Sequence, residues 1–237
     1  MEEIYIIIAA ITPAVLLTYW IVWQDSYKAE PLSWLLRGVA YGGFAVAVLL
    51  LAGYALDSFL PGEDDEMTSI LDAFNTAFFC AAIPEECIKL LMLWLLLRKN
   101  PHFDERFDGI VYSVCVGMGF AGAENVLYLL GEDRWVQIGM VRALMAVPGH
   151  FLDAVLMGYF YSLAHFQKEH QLRNRLLTLI APVMAHGIYD FVLMSSSLVP
   201  EYAIILMVVV VYGLNFLREY CSKLIKKHRQ SDIDNYA

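Results

Sequence analysis

Ionisable side chains of the types that activate water interrupt otherwise apolar stretches of this sequence. One such stretch, from Ile83 to Lys89, contains two adjacent carboxylates, Glu85 and Glu86. Glu85 and Lys89 are four residues apart, in the favourable order for an ion pair on one helix face. Glu86 points about 100° away, which leaves it as the surplus carboxylate. Which of the two glutamates reacts stays open, because adjacent residues differ only by a rotation of the helix.

Two histidines lie in similarly apolar stretches. His150 follows Pro148 closely, and His186 lies four residues before Asp190, on the same helix face. A carboxylate beside an imidazole fixes its tautomer and raises its basicity, as it does in general bases and in metal ligands. The pair of His186 and Asp190 therefore predicts a functional imidazole.

A further apolar stretch carries Glu124 and Asn125. Glu124 shares a helix face with Tyr128, and the small residues before it let a neighbouring helix approach closely. Asn125 is suited to a hydrogen bond between helices. Arg142 lies two turns before His150 and is a candidate counter-charge near the outer surface.

Carboxylates and imidazoles without a partnered serine indicate catalysis by activated water. In one mechanism Glu86 is the general base, and His150 or His186 stabilises the oxyanion. In the other, these three residues bind a divalent metal such as zinc, and another glutamate is the base. The sequence has no His-Glu-x-x-His helix, so a site that requires no cofactor and a zinc site both stay open. The expected catalytic residues are Glu85, Glu86, Glu124, His150 and His186, with Lys89, Asn125 and Asp190 in support.

The elements that must position these residues are membrane-spanning helices. The chain has 237 residues, is 59% hydrophobic and has a mean hydropathy of +0.55, whereas a soluble domain is roughly half apolar. Its apolar blocks of about 20 residues or more can cross a hydrocarbon layer of roughly 30 Å. We predict an all-α, polytopic membrane bundle of about seven helices, forming one domain over residues 1–237. The predicted spans are approximately 3–23, 33–56, 69–97, 108–130, 138–163, 175–196 and 200–221.

The loops between these spans alternate between basic and non-basic, which predicts their orientation. The first, third and fifth loops and the C-terminal tail carry basic residues such as Lys28, Arg98, Lys168 and Lys226. The second loop is acidic, with Glu or Asp at each of positions 63–66. Under the positive-inside rule, the N-terminus lies outside and the C-terminus lies in the cytoplasm.

The predicted depths of the candidate residues place them in one layer of the membrane. At a rise of about 1.5 Å per residue, Glu85, Glu86, His150 and His186 fall near the middle of their helices. Glu124 and Asp190 fall about a third of the way in from the outer surface. Prolines precede several candidates and are expected to kink the helices there, exposing carbonyls that water must satisfy. They are Pro84, Pro148 and Pro182. Together these features predict a hydrated polar cavity.

At these residues the sequence resembles the PrsW proteases. The resemblance covers nearly the whole chain, and several separated motifs carry it in order. They are the early Pro13, Asp25-x-Tyr27-x-x-Glu30-Pro31, Glu85-Glu86-x-x-Lys89, the 102–112 loop, the 120–128 run, His150 before Gly158, and His186-Gly-x-Tyr189-Asp190-Phe191.

The resemblance implies an intramembrane protease of the bacterial cell membrane. It implies that the enzyme makes the first cut in a membrane-bound anti-sigma factor during envelope stress. The expected partners are thus a single-span membrane protein and the lipid bilayer, with no nucleic acid. The wider group includes the CAAX prenyl endopeptidases. This sequence departs from them by having Glu124 where they tend to carry a histidine and Asp190 in place of a final asparagine.

Two other classes of protein also bury glutamate, histidine and lysine in membrane helices. A proton-coupled transporter typically has internal repeats or a polar path that reaches both faces, and the inner part of this layer has few polar residues besides Lys89. A non-catalytic membrane scaffold would tolerate Glu86→Gln with unchanged partner binding. Both remain alternatives to the protease.

Overall fold

The computed structural model describes residues 2–25, 28–57 and 67–236, and it is helical without strands over those residues. A short π-helical segment and a 3₁₀ turn separate some of the α-helices. The elements are α1 (Glu2–Trp23), α2 (Leu32–Asp57), α3 (Ile70–Asn75), the π-helical segment (Thr76–Ala82), α4 (Ile83–Leu97), α5 (Arg106–Leu129), α6 (Trp135–Leu144), α7 (Ala146–Phe166), α8 (Gln171–Leu198), the 3₁₀ turn (Pro200–Tyr202) and α9 (Ala203–Tyr236). Tyr27 and the predicted acidic loop at 63–66 lie outside the described residues.

Within the described ranges, six helical stretches are long and apolar enough to cross a membrane. They are α1, α2, α5, α6 with α7, α8, and the 3₁₀ turn with α9. The predicted third span, 69–97, is instead the consecutive α3, π-helical segment and α4, which carry three charged residues in their apolar part. The all-helical polytopic bundle is therefore confirmed, with a helix count near the seven predicted. Its orientation in the membrane stays a prediction.

Prolines shape the helices next to the candidate residues, although not all in the expected way. Pro148 has no N–H to offer the carbonyl of Leu144, and the helix breaks at Met145, between α6 and α7. Pro84 follows the π-helical segment at the start of α4. Such segments often accompany functional sites. Pro182, by contrast, lies inside α8, and that helix continues through it without a break.

Helix α5 is the centre of the bundle and packs against α1, α2, α7 and α9. Every one of its residues from Phe107 to Gly122 is buried. Glycine permits a close approach of α2 to α5: a Cβ atom added at Gly119 would lie 2.1 Å from the carbonyl oxygen of Val39 in α2. Small residues at such crossings let membrane helices meet backbone to backbone. This contact fixes where α5 presents Glu124.

Helix α9 does not end near residue 221, as the apolar pattern predicted, but runs on to Tyr236. Its polar part keeps a buried face at helical spacing, and the carboxylate of Asp232 accepts the backbone N–H groups of Arg106 (3.1 Å) and Phe107 (2.8 Å). These are the first N–H groups of α5, which have no partner within their own helix. The end of α9 therefore caps the start of the central helix.

Candidate active site

Helix α4 contributes three buried charges to the site. The ammonium of Lys89 donates to Oε1 of Glu86 at 2.8 Å and to Oε2 of Glu85 at 3.1 Å. The expectation that Lys89 pairs with Glu85 alone is therefore wrong. On a helix the positions three and four residues earlier both lie within reach of a long side chain. Glu86 is fully buried, whereas Glu85 keeps a small exposed fraction of 8%.

His186 connects α8 to both glutamates. Its Nδ1 lies 3.0 Å from Oε1 of Glu86, and its Nε2 lies 3.2 Å from Oδ2 of Asp190 and 4.0 Å from Oε2 of Glu85. The imidazole therefore has a carboxylate at each ring nitrogen, an arrangement that fixes its orientation. Phe78 of the π-helical segment lies directly against Gly187, where an added Cβ would be 2.4 Å from its ring. That close packing holds α8 beside the segment that leads into α4.

His150 connects the same charges to α5. Its Nδ1 lies 3.2 Å from the ammonium of Lys89, and its Nε2 lies 3.1 Å from Oε2 of Glu124. The rings of His150 and His186 are 5.3 Å apart between centroids. The two imidazoles thus face one another across a small space edged by carboxylates.

Arg142 of α6 extends the network toward the end of α5. Its Nη2 donates to Glu124 at 2.5 Å, its Nε donates to Asn125 at 2.6 Å, and its guanidinium lies 3.9 Å from the ring centre of Tyr128. Asn125 in turn donates to the carbonyl of Ala10 in α1 at 3.1 Å. Arg142 is therefore the counter-charge of Glu124, and Asn125 makes the interhelical hydrogen bond suggested by its type.

A cavity of about 290 Å³ opens beside these groups. Its walls include Glu85, Glu124, His150, His186 and Asp190, but Glu86 lies behind them. All eight predicted catalytic and supporting residues are thus in one connected network, although their chemical roles stay predictions.

Two further polar residues line the cavity and were not among the predicted site residues. Asp153 is buried, and its position three residues after His150 on the same helix face was the available signal. Tyr189 also lines the cavity, next to Asp190 in the chain. Because adjacent residues usually face different directions on a helix, spacing alone did not predict that Tyr189 and Asp190 line the same cavity.

A multi-helix membrane bundle that buries carboxylates and imidazoles around a cavity of this size has the groups that a membrane-embedded hydrolase needs. Comparison with known proteins identifies the family within this class. A family model described as PrsW family intramembrane metalloprotease matches residues 30–214. Protease PrsW of Clostridioides difficile (strain 630) is 34% identical over 206 residues, which cover 85% of this chain and 83% of that protein. Protease PrsW of Bacillus subtilis (strain 168) is 34% identical over 193 residues, covering 81% and 84% respectively.

The chain therefore belongs to the PrsW family of intramembrane proteases. No solved structure gives a significant match. This result confirms the predicted family and the peptidase class. It also confirms the prediction of a multi-pass protein of the bacterial membrane.

The family description names a metalloprotease, and the site contains a suitable set of donors. Glu85, Glu86, His150 and His186 are buried, and each offers one ligand atom within 4.8 Å of the others. Over the described residues, Oε2 of Glu86 is a buried oxygen without a hydrogen-bond partner. Imidazoles with carboxylates are a common zinc donor set, so the residues fit this metal. Lys89 is the competing cation, because its ammonium already contacts three of the four donors.

Proposed function

We propose that this protein makes the first cut in a single-span, membrane-bound anti-sigma factor, and that Glu85 activates the water. The observation that carries this proposal is the cavity where Glu85, His150 and His186 meet inside the helical bundle. Family membership supports the peptidase step. The substrate class and the link to envelope stress come from the resemblance in sequence.

The position of the two glutamates favours Glu85 as the general base. Glu85 lines the cavity and can reach a water molecule there, whereas Glu86 is fully buried between Lys89 and His186. Glu86 then has a positioning role: it orients the imidazole and neutralises the ammonium. We therefore assign the reactive role in this proposal to Glu85 and not to Glu86.

The reaction follows from these positions. Glu85 takes a proton from water while the water oxygen bonds to the carbonyl carbon of the peptide. The oxyanion that forms accepts a hydrogen bond from the N–H group of an imidazole, His186 or His150. The carbon–nitrogen bond then breaks as the proton held by Glu85 passes to the leaving nitrogen, which regenerates the carboxylate. Glu86, His150 and His186 would hold a zinc ion, which would act as a Lewis acid toward the carbonyl oxygen of the peptide.

The test is cleavage of a tagged single-span anti-sigma factor by the purified protein in liposomes. We expect Glu85→Gln and His186→Ala each to reduce the rate by at least about 100-fold, the scale of a lost general base or oxyanion donor. Glu201→Gln is the matched control, since Glu201 is an exposed glutamate away from the site, and it should cleave normally. Undiminished cleavage by folded Glu85→Gln and His186→Ala variants would contradict the proposal.

A further inference from the structure

A second cluster of buried carboxylates lies at the other end of α5 from Glu124. Asp25 follows α1, Glu105 is the N-cap residue of α5, and Asp108 is in the first turn of that helix. Each offers a carboxylate oxygen within 4.8 Å of the others, and their exposed fractions are 7%, 4% and 0%. Asp108 precedes Glu124 by about 24 Å at the helical rise, so this cluster is distinct from the candidate active site.

Two oxygens of the cluster lack the partners that buried carboxylates need. Oδ2 of Asp108 accepts the backbone N–H groups of Glu105 at 2.7 Å and Asp104 at 3.0 Å. Over the described residues its Oδ1 is buried without a hydrogen-bond partner, and so is Oδ2 of Asp25. A buried polar atom left unsatisfied costs about 1–3 kcal/mol, and more for a charged group. Asp25 and Asp108 therefore each direct an unpaired oxygen into a space where positive charge is needed.

The described lining of the small cavity beside Asp25 has three carboxylates and one cation. Arg229 lines a small cavity beside Asp25 and Glu105, but the carboxylate of Asp232 lines the same cavity. Lys28 is ion-paired with Asp104. Negative charge in this cluster is thus only partly compensated.

The donor set indicates which kind of ion would compensate it. The three donors are all carboxylate oxygens, which hard cations prefer over zinc or other soft metals. A separation of up to 4.8 Å between donor atoms equals about twice the usual Ca²⁺–oxygen distance of roughly 2.4 Å. Mg²⁺ takes the same donors at a shorter distance and keeps several waters.

We propose that Asp25, Glu105 and Asp108 bind a hard divalent cation, Mg²⁺ or Ca²⁺, that joins the loop after α1 to the start of α5. The bound ion holds Asp25, which follows α1, against the start of the central helix. Asp232 of α9 caps the same helix end. The residue after α1, the start of α5 and the last part of α9 therefore contact one another at this end of the molecule.

The experiment uses the full-length protein in detergent, first treated with a chelator and then given MgCl₂ or CaCl₂ alone. At a concentration about 100 times the dissociation constant, the bound ion should raise the thermal unfolding midpoint by about 5–10 °C. A response to only one of the two salts identifies the ion. Calorimetric titration measures the binding directly, so the proposal does not depend on the midpoint alone.

Matched variants identify the site. Asp25→Asn and Asp108→Asn both keep an acceptor oxygen for the backbone, and both should lose the response. Asp234→Asn, which changes an exposed aspartate at the same end of the molecule, should keep it. His186→Ala should also keep it, because that residue belongs to the other donor set. The proposal is overturned if neither salt binds, or if folded Asp25→Asn and Asp108→Asn variants bind as the unchanged protein does.

Discussion

At the scale of single residues, the main feature of the site is that the ammonium of Lys89 forms ion pairs with two carboxylates. Lys89 is buried and contacts Glu85, Glu86 and His150, so groups of the site itself compensate its charge. Removing one partner from a buried ion pair is expensive, because the remaining charge stays in a region of low dielectric.

The first prediction at this scale concerns Glu86→Gln. We expect it to lower the free energy of unfolding by about 3 kcal/mol, since it removes the nearer and more deeply buried partner of Lys89. Glu85→Gln should cost less, because Glu85 is the longer contact and is partly exposed. Denaturation of the purified variants in detergent measures both values.

A double-mutant cycle supplies the control for this prediction. Glu86→Gln combined with Lys89→Met removes both partners of this pair, so the double variant should lose less stability than the sum of the losses of the two single variants. Strictly additive losses in the double variant would mean that the ion pair is not what stabilises this part of α4.

At the scale of helices, the positions of the site residues depend on close contacts of the central helix. We expect Gly119→Ala to lower stability by about 1–3 kcal/mol, because the added methyl group would press against the backbone of Val39. Gly213→Ala in α9 is the matched control, since an added Cβ there meets nothing within 4 Å. The thermal unfolding midpoints of the two variants measure the difference, and equal midpoints would contradict the close packing of α2 on α5.

The helices also show which structural features the sequence patterns predicted and which they missed. The apolar blocks predicted most spans well, because hydrocarbon thickness fixes the length of a membrane helix. The same patterns missed the continuation of α9 beyond residue 221, because its polar turns are held by partners on α5 and α7 rather than by lipid. Likewise, common depth predicted that Glu85, His150 and His186 meet. Depth does not fix helix rotation, so it could not tell that Lys89 contacts both glutamates or that Asp153 faces the cavity.

At the scale of the whole molecule, the open chemical question is the metal content. We expect the purified protein to retain about one zinc ion per chain, because two imidazoles and two carboxylates converge in a buried site. Elemental analysis measures the ion, and a chelator should remove both the zinc and the cleavage activity. His186→Ala should lose the zinc, whereas Asp108→Asn should keep it. Full activity in protein that is shown to be free of metal would contradict this prediction. It would mean that the side chains of the site activate the water without zinc.

The complete burial of α5 from Phe107 to Gly122 predicts how the protein tolerates mutation along this helix. From Phe107 to Gly122 no face of this helix is exposed, whereas α1 buries a single narrow stripe: Ile6, Ala10, Ala14 and Ile21. In a saturation mutagenesis scan read out by protein abundance, tolerance along α1 should oscillate with a period of about 3.6 residues. Along α5 it should be low and without a period. A helical rhythm of tolerated polar substitutions through α5 would show that one of its faces is open in the membrane.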